Sequence, residues 1–466
     1  MFKGKMKAKT IFSRSIPFIL IIFLFLFVLE TGCTTKEPKT EIESKVNEYI
    51  NAYLKMGKFS GSILIAQGGK VLVSKGYGMA NYELGVPNTP QTKFRLGSIT
   101  KQFTAMAIMQ LQEQGKLDVN DAVSRYVEES PETWKEITIH HLLTHTSGIP
   151  SYTNFSNYVS LMTIPTNPKE LIARFKDKPL EFAPGEKYRY SDSAYNLLGF
   201  IIENVSGKKY EEFLGENIFA PLGMTDTGHD DPIRIIKNRA SGYNSIIYGG
   251  IVNAHYIHMS VPYAAGALYS TVEDLYKWDR SLYTEKLVSK QALDKIFTPF
   301  KNNYGYGWAI GEFNNHNRIS HGGGVDGFTT NISRYVDDDV CIIVLNNIVG
   351  TPVRKISDDI AAIVFAENYE LPEMKKRSII EVDPRIYDDY VGQYEYAFII
   401  RIIKENNHLF FEGGQGAKIE IYPESETKFF QEARDAQITF VKNKKGEVIH
   451  LILHQRGTAT TCKKIN

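Results

Sequence analysis

The sequence predicts an α/β protein whose sheet is assembled from both ends of one large domain, with a small all-β domain after it. Two apolar runs flank Gly68 and Gly69 near the start of the chain, and strand-like runs return after Tyr304. A mixed, mostly helical section separates them. From residue 383 onward, short apolar runs alternate with turn residues. At 466 residues, the chain fits one large domain plus a smaller one.

The composition is globular and gives no electrostatic argument for nucleic acid. The chain has 54 Lys and Arg against 53 Asp and Glu, a formal net charge of +1, and no basic block outside its N-terminus. We therefore expect a small-molecule or peptide partner. Cys341 and Cys462 fall in different predicted domains and are expected to be free, and no CxxC spacing indicates a metal site.

The N-terminus has the pattern of an export signal. Lysines and an arginine precede an apolar run over 16–29, which is shorter than the about 20 residues of a membrane-spanning helix. The run ends at LETGC, which resembles a bacterial lipoprotein processing site with Cys33 as the lipidated residue. Glu30 departs from that pattern, so an uncleaved N-terminal anchor stays open. We predict a signal peptide over 1–33, a tether over 34–41, and an extracytoplasmic, membrane-anchored body.

The first half of the body is predicted as a helix, a hairpin and then mostly helices. A helix is expected over 42–54, and the hairpin over 61–81 turns at its two adjacent glycines. A further helix starts near Ser98. In the section that follows, Ser270 and Glu273 have capping-box spacing and predict the start of another helix.

The second half is predicted as strands, a closing helix, a linker and a small β-domain. Apolar runs at 304–310, 328–336 and 341–347 predict strands, with a turn at Asp337–Asp339 between the last two. The remaining predicted segments are a helix over 352–366, a charged linker over 371–382 and the β-domain over 383–466.

Ser98 raises the question of whether it caps a helix or acts as a nucleophile. It follows Gly97 and precedes good helix formers, so its hydroxyl could accept a hydrogen bond from an early helix N–H. A helix cap does not explain Lys101, which lies one turn later on the same face and leads into an almost wholly apolar stretch. A lysine in that position indicates a chemical role.

The SITK sequence at 98–101 indicates a function only together with two further motifs. YSD at 190–192 precedes an apolar helical run, and HGG at 321–323 leads through a glycine-rich turn into a strand. The three motifs, in this order, resemble those of the serine hydrolases related to class C β-lactamases, D-alanyl-D-alanine carboxypeptidases and esterases. The resemblance covers roughly 42–366. It implies a β-lactamase/transpeptidase-like fold, with an antiparallel sheet and flanking helices over 42–370, and a small lipocalin-like β-barrel after it.

The resemblance also implies a mechanism and the residues that perform it. Ser98 is the expected nucleophile and forms an acyl-enzyme, since a serine must lose its proton to a nearby base as it attacks. The Lys101 ammonium is expected to favour an ionised or strongly polarised Tyr190, which takes the serine proton and returns it to the leaving group. The backbone N–H groups of Ser98 and Gly324 are expected to form the oxyanion hole.

Substrate contacts are expected from Asp192, His321 and Gly323. In this family the second motif usually ends in Asn, whose amide can donate a hydrogen bond, whereas an ionised Asp192 can only accept one. The second motif could also be a degraded S-D-N element, which would give the proton-transfer role to Ser191. We prefer Tyr190, because the His321 form of the third motif accompanies a tyrosine second motif in this family.

Other motifs have weaker functional interpretations. Gly322, Gly324 and Gly327 fit GxGxxG, but the segment enters a strand, so we do not expect dinucleotide binding. The three histidines of TIHHLLTHTSG at 138–148, which are His140, His141 and His145, are expected to be structural rather than metal ligands. His229 is expected in a surface loop. We expect neither a metal nor an organic cofactor.

The substrate class stays open at this point among a D-amino-acid peptide, a β-lactam and a carboxylic ester. An alternative of a different class is a ligand-binding or β-lactam-sensing domain that is acylated once without useful turnover. The sequence does not indicate the oligomeric state.

Overall fold

The computed structural model describes residues 38–245, 251–373, 378–395, 399–413, 418–431, 436–455 and 458–465. The predicted signal peptide, Cys33 and all but the last residues of the predicted tether lie outside these ranges. The helices are α1 (Pro38–Lys55), α2 (Thr100–Glu113), α3 (Ile139–Leu143), α4 (Tyr158–Leu161), α5 (Pro168–Ala173), α6 (Asp192–Ser206), α7 (Tyr210–Leu214), α8 (Ala220–Leu222), α9 (Tyr263–Gly266), α10 (Val272–Ser281), α11 (Lys290–Phe297), α12 (Val353–Val364) and α13 (Tyr387–Tyr390).

The strands belong mainly to one large sheet and one barrel. They are β1 (Gly61–Gln67), β2 (Lys70–Tyr77), β3 (Met79–Asn81), β4 (Val86–Pro87), β5 (Phe94–Arg95), β6 (Gly228–His229), β7 (Tyr243–Ser245), β8 (Ile251–Asn253), β9 (Leu268–Ser270), β10 (Ala309–Phe313), β11 (His316–Val325), β12 (Phe328–Tyr335), β13 (Val340–Asn346), β14 (Ile348–Val349), β15 (Gly392–Glu395), β16 (Ile399–Glu405), β17 (His408–Glu412), β18 (Lys418–Pro423), β19 (Lys428–Gln431), β20 (Ala436–Lys442), β21 (Val448–Gln455) and β22 (Thr458–Lys464).

The large sheet joins the two ends of the first domain, as the sequence predicts. Its antiparallel strand order is β10-β11-β12-β13-β1-β2, so β1 from the start of the domain pairs directly with β13 from its end. The β1–β2 hairpin turns at Gly68 and Gly69, whose φ angles of 57° and 74° suit a two-residue turn that requires positive φ at both positions. The predicted hairpin is therefore confirmed, along with strands β12 and β13.

Different helices cover the two faces of this sheet. Ile63 and Ile65 of β1 pack into a core that contains buried residues of α1 and α12. Leu64 and Ala66, which point to the other face, pack into the larger core that contains α2 and α6. This alternation is the period of two that a strand buried on both faces must have. α2 is buried on all sides over most of its length, since Thr100 through Leu111 are all buried.

The C-terminal β-domain is a closed barrel of eight strands, β15 to β22 in sequence order. Its interior is filled by its own buried side chains, including Tyr390, Phe429 and Phe440. The rings of Tyr390 and Phe440 stack with their centroids 4.1 Å apart. The predicted small barrel is confirmed.

Two predicted helix starts are wrong. α1 begins at Pro38, four residues before its predicted start and inside the predicted tether, because proline is tolerated in the first turn of a helix. α10 is capped by Thr271, whose side chain accepts a hydrogen bond from the N–H of Asp274, and not by Ser270. Ser270 ends β9, where it pairs with Phe94, so the helix starts one residue later than the spacing predicted.

None of the described helices combines the length and the apolar character that a membrane span requires.

Candidate active site

Ser98 lies on a short turn that leads into the buried helix α2. Gly97 has a φ of +56°, and residues Gly97–Ile99 form a single 3₁₀ turn before the helix. Ile99 occupies the N-cap position, and no side chain forms a capping hydrogen bond there. Ser98 therefore does not serve as the cap of α2, and the helix-cap hypothesis leaves its hydroxyl unexplained.

Lys101 lies beside Ser98 and is completely buried. Its Nζ donates hydrogen bonds to Ser98 Oγ at 3.1 Å, to Asp192 Oδ1 at 2.7 Å and to the carbonyl oxygen of Ala265 at 2.9 Å. The carboxylate and the carbonyl can only accept hydrogen bonds, whereas the serine hydroxyl can also donate one. In a neutral Lys101, two N–H groups can point at Asp192 and Ala265 while the lone pair faces Ser98.

The environment of Lys101 brings its protonation equilibrium closer to neutral pH. Burial lowers the pKa of Lys101 below that of an ordinary lysine, because a low-dielectric interior disfavours the charged form. Asp192 raises the pKa of Lys101 by its negative charge and its hydrogen bond, but this effect is smaller than that of burial. The net result suits a lysine that exchanges a proton.

Tyr190 packs over Lys101 but is not poised to ionise. Lys101 Nζ lies 4.7 Å from the centroid of the Tyr190 ring. Burial and, to a smaller degree, the negative charge of Asp192 hold the pKa of Tyr190 well above its ordinary value, while Ser98 lowers it. The buried hydroxyl has no hydrogen-bond partner of normal geometry in the described part of the chain. The raised pKa favours a protonated Tyr190 in the resting protein, and its role in proton transfer stays a prediction.

Ser191 and Asp192 of the second motif have different hydrogen-bonding roles. Ser191 is the N-cap of α6, and its side chain accepts a hydrogen bond from the N–H of Ala194 at 3.3 Å. Asp192 is free of that capping duty and accepts hydrogen bonds from Lys101 and, at 3.3 Å, from Thr153 Oγ1. The S-D-N alternative loses support, because the Ser191 hydroxyl is committed to the helix.

His321 is a neutral side chain held between two partners. Its Nδ1 donates to the carbonyl oxygen of Gly322 at 2.6 Å, so in the neutral ring Nε2 accepts from the Tyr304 hydroxyl at 2.9 Å. Burial and the nearby Lys101 charge lower the pKa of His321 to about 4. His321 thus positions the strand and Tyr304 instead of carrying charge to a substrate.

The glycines of the third motif have different physical roles. A Cβ on Gly323 would lie 1.9 Å from the carbonyl oxygen of Leu96, so glycine is required there for β11 to pack beside the Ser98 turn. A Cβ on Gly324 would meet nothing within 4 Å, so this residue borders open space. A Cβ on Gly97 would lie 2.6 Å from Gly324 N, which places the two predicted oxyanion-hole segments side by side.

Sequence reasoning missed the catalytic-site contacts of His145. Its fully buried ring lies 4.2 Å from the Tyr190 ring, centroid to centroid, and its Nδ1 accepts a hydrogen bond from Ser191 N at 3.1 Å. His145 Nε2 has no partner among the described residues, and burial holds the pKa of His145 well below the ordinary value. His145 therefore supports the second motif as a neutral, structural side chain.

The other motifs singled out in the sequence have structural contacts of their own. Within the described ranges, no group of three or more His, Cys, Asp and Glu side chains is arranged to hold a metal ion. His140 and His141 make separate contacts, with the Tyr306 hydroxyl and with Thr138 N. His229 is wrongly predicted as a surface-loop residue, because it lies half-buried in β6. The GxGxxG segment turns from β11 into β12, as expected for a hairpin.

The fold and this arrangement define a serine hydrolase. The beta-lactamase family matches residues 46–367, which span the large sheet, the helical insertion and all three motifs. The chain therefore belongs to the beta-lactamase family, whose serine enzymes share the β-lactamase/transpeptidase-like fold.

Similar proteins of known sequence or structure agree with this assignment. The chain is 31% identical over 418 residues to penicillin-binding protein 4* of Bacillus subtilis, which covers 82% of this chain and 90% of that protein. It is 35% identical over 288 residues to the putative penicillin-binding protein PbpX of the same organism, over 61% of this chain and 71% of that one. The octameric penicillin-binding protein homologue from Pyrococcus abyssi superposes with a TM-score of 0.64 at 29% identity, over 90% of this chain and 100% of that one.

Proposed function

We propose that the protein is an exported hydrolase that forms an acyl-enzyme on Ser98. The observation that carries the proposal is the buried Lys101, with a lowered pKa, in contact with Ser98 Oγ at 3.1 Å. A serine becomes a useful nucleophile only when an adjacent base takes its proton during the attack. Lys101 is the group in hydrogen-bond contact that can do so.

The proton path uses Lys101 as base and Tyr190 as acid. As Ser98 Oγ forms a bond with the substrate carbonyl carbon, its proton moves to Lys101 Nζ. Tyr190, which carries a proton because its pKa is raised, donates it to the departing group as the bond to that group breaks. Transfer of a proton from Lys101 to Tyr190 then restores the tyrosine, and water releases the acyl group by the reverse path.

Negative charge on the carbonyl oxygen is stabilised by the N–H groups of Ser98 and Gly324. Their segments are adjacent, and Gly324 borders open space where a substrate oxygen fits. One oxyanion-hole donor typically contributes about 3 kcal/mol to transition-state stabilisation. No step of this mechanism requires a metal or an organic cofactor.

The substrate class is a D-amino-acid peptide or a carboxylic ester, with β-lactams as slower acylating agents. Similarity to penicillin-binding proteins supports the peptide and β-lactam classes. The carboxylate at Asp192 weighs against efficient β-lactam use, because it accepts from Lys101 and cannot donate to a substrate carbonyl.

The test is covalent labelling of Ser98. A fluorophosphonate or penicillin-type probe should label Ser98, and Ser98→Ala should abolish labelling and lower turnover by about a thousand-fold or more. Ser191→Ala is the matched control: it should cost about 1 kcal/mol of stability by loss of the helix cap while labelling persists. Labelling of another serine in the folded protein would contradict the proposal.

The same probes separate an enzyme from a sensor. A hydrolase turns over many equivalents of a chromogenic ester, cephalosporin or D-Ala-D-Ala substrate after any burst. A single stoichiometric burst without further product would instead support the ligand-sensing alternative.

Export and membrane attachment belong to the same proposal. The apolar run at 16–29 and the LETGC sequence support processing at Cys33. Cys33→Ala should release the protein from the membrane fraction or stall its processing, as measured by lipid labelling and apparent mass. A wild-type chain that incorporates no lipid and keeps its full mass would show that an uncleaved anchor holds it.

A further inference from the structure

A cavity of about 420 Å³ in the helical part of the first domain carries positive charge. Its walls include the aromatic side chains of Tyr152, Phe155 and Tyr158 together with the cationic side chains of Arg174 and Lys178. The described residues that line it include no acidic side chain. Its volume is within the range of sites that hold a substrate group or a small ligand.

The two cations are not neutralised by the protein. Neither Arg174 nor Lys178 takes part in an ion pair within the described part of the chain, and Arg174 Nη1 is buried without a hydrogen-bond partner there. Lys178 lies over the Phe155 ring, with Nζ 5.7 Å from the centroid. A buried guanidinium N–H without an acceptor is costly, which favours an acceptor supplied from outside the chain.

The segment that lines the cavity also contacts the second motif. The backbone N–H of Tyr152 donates a hydrogen bond to Ser193 Oγ of α6 at 2.9 Å, and the hydroxyl of the next residue, Thr153, donates to Asp192 Oδ2 at 3.3 Å. Tyr158 packs in an apolar cluster with Val325, the residue that follows Gly324. The cavity is therefore connected to the second motif through Tyr152 and Thr153, and to the strand that carries Gly324 through the apolar cluster against which Tyr158 and Val325 both pack.

We infer that this cavity is a substrate subsite for an anionic group, a carboxylate or a phosphate, held by Arg174 and Lys178. A guanidinium forms two parallel hydrogen bonds with either oxyanion, and the aromatic walls fit the apolar atoms that connect it to the reacting carbonyl. Asp192 does not line the cavity, and its Oδ1 accepts a hydrogen bond from Lys101 Nζ at 2.7 Å. The inference rests on the proposed function for the reaction and adds the charge of the substrate.

The kinetic test uses the full chain and matched 4-nitrophenyl esters. One ester carries a glutaric acid group with a free carboxylate, a second carries the neutral monoamide of that acid, and a third ends in a phosphate. Wild type should prefer an anionic ester over the neutral one by about ten-fold or more in kcat/KM. The preference should fall with added salt. The anionic ester with the higher kcat/KM shows whether the cavity prefers a carboxylate or a phosphate.

Variants then assign the preference to the cavity. Arg174→Gln should reduce the anionic preference by about ten-fold, and Lys178→Gln should reduce it in the same direction. A circular dichroism spectrum and a thermal unfolding midpoint equal to those of wild type report that Arg174→Gln is folded. Lys176→Gln is the matched control, since this nearby cation pairs with Glu129 and does not line the cavity. Equal kcat/KM for charged and neutral esters, or a preference that survives Arg174→Gln, would overturn the inference.

A binding measurement tests the cavity even if the proposed reaction at Ser98 does not occur. If Ser98 proves not to react with any ester, calorimetry with phenylacetate, phenyl phosphate and neutral phenylacetamide still tests the cavity. Binding of an anion that is lost in Arg174→Gln would support the subsite in the absence of turnover. Equal binding of phenylacetate and phenylacetamide would exclude it.

Discussion

Asp192 stands at the end of the second motif, where Asn is the expected residue, and its hydrogen bond with Lys101 gives this difference a chemical consequence. The carboxylate raises the pKa of Lys101 against the larger lowering by burial. Asp192→Asn removes that charge at nearly the same volume, so the pKa of Lys101 falls further. If neutral Lys101 is the base, the acidic limb of the kcat/KM profile moves to lower pH in Asp192→Asn. Stopped assays across pH with a neutral ester measure this shift.

A matched control separates the effect of the Asp192 charge from the effect of losing a hydrogen bond to Asp192. Thr153→Val removes the hydroxyl that donates to Asp192 Oδ2 and leaves the charge in place. Its acidic limb should stay where the wild-type limb lies. An Asp192→Asn variant with an unmoved acidic limb would contradict the role of Lys101 as base.

The same substitution tests substrate choice. Asn restores an amide that can donate to a substrate carbonyl, whereas the ionised carboxylate only accepts. We expect Asp192→Asn to raise acylation by β-lactams or D-Ala-D-Ala peptides relative to neutral short-chain esters, measured as a ratio of kcat/KM values. A merely structural Asp192 would leave this ratio unchanged, but Ser191 already provides the cap of α6.

The sequence identified the side chains of the site better than their roles. Motifs with short spacing placed Ser98 near Lys101 and named Tyr190, and the structure brings all three together. The protonation of Tyr190 depends on burial in three dimensions, which no spacing records. The Ala265 carbonyl and the His145 ring come from segments that are far from Ser98 in the sequence. A backbone carbonyl can accept a hydrogen bond whatever the residue type, so the sequence does not indicate that Ala265 contacts Lys101.

At the scale of elements, the buried strands β12 and β13 were predicted more reliably than helix ends, whereas the strand predicted over 304–310 overlaps β10 only at 309–310. The buried strands β12 and β13 are continuous apolar or alternating runs bounded by turn residues, so their sequence carries both position and length. The first turn of α1 has few apolar residues, so a pattern of apolar residues detects this helix only from 42. For α10, two adjacent hydroxyl residues fit the cap, and strand pairing of Ser270 decides between them.

The turn before α2 holds the catalytic geometry through Gly97. A side chain there is disfavoured by the φ of +56°, and its Cβ would lie 2.6 Å from Gly324 N. We expect Gly97→Ala to push β11 away from the turn and to lower kcat by about a hundred-fold or more, through loss of an aligned oxyanion-hole donor. Ester hydrolysis and Ser98 labelling measure the effect.

The other end of α2 supplies the control for that variant. Gly115 also has a positive φ, +66°, but a Cβ there would meet nothing within 4 Å. Gly115→Ala should cost about 1 kcal/mol in free energy of unfolding through backbone strain and leave kcat/KM unchanged. Equal losses of activity in both variants would show that strain, and not the contact with Gly324, is responsible.

At the scale of the whole molecule, the hydrolase domain and the barrel each have a hydrophobic core of their own. The cores on the two faces of the large sheet use residues up to Val364, with Phe365 and Tyr369 packed against one of them. The barrel core is built from Tyr387 onward, with Val382 and Ile386 against it. The free, buried Cys341 and Cys462 belong to these separate cores, as the sequence predicted.

Deleting 383–466 should therefore leave acyl-enzyme formation on Ser98 largely intact. All three motifs precede the linker over 371–382, and the described contacts of Ser98, Lys101 and Asp192 lie within the first domain. Probe labelling of the truncated protein should proceed at a rate within a few-fold of the full chain. A full-length variant with a protease site in the linker is the control, because its barrel is present during folding and removed afterwards.

The two forms together show what the barrel does. If both forms keep the circular dichroism of the first domain but lose Ser98 labelling, the barrel contributes to the active site. If only the deletion variant loses it, the barrel assists folding, and the catalytic unit is the first domain alone.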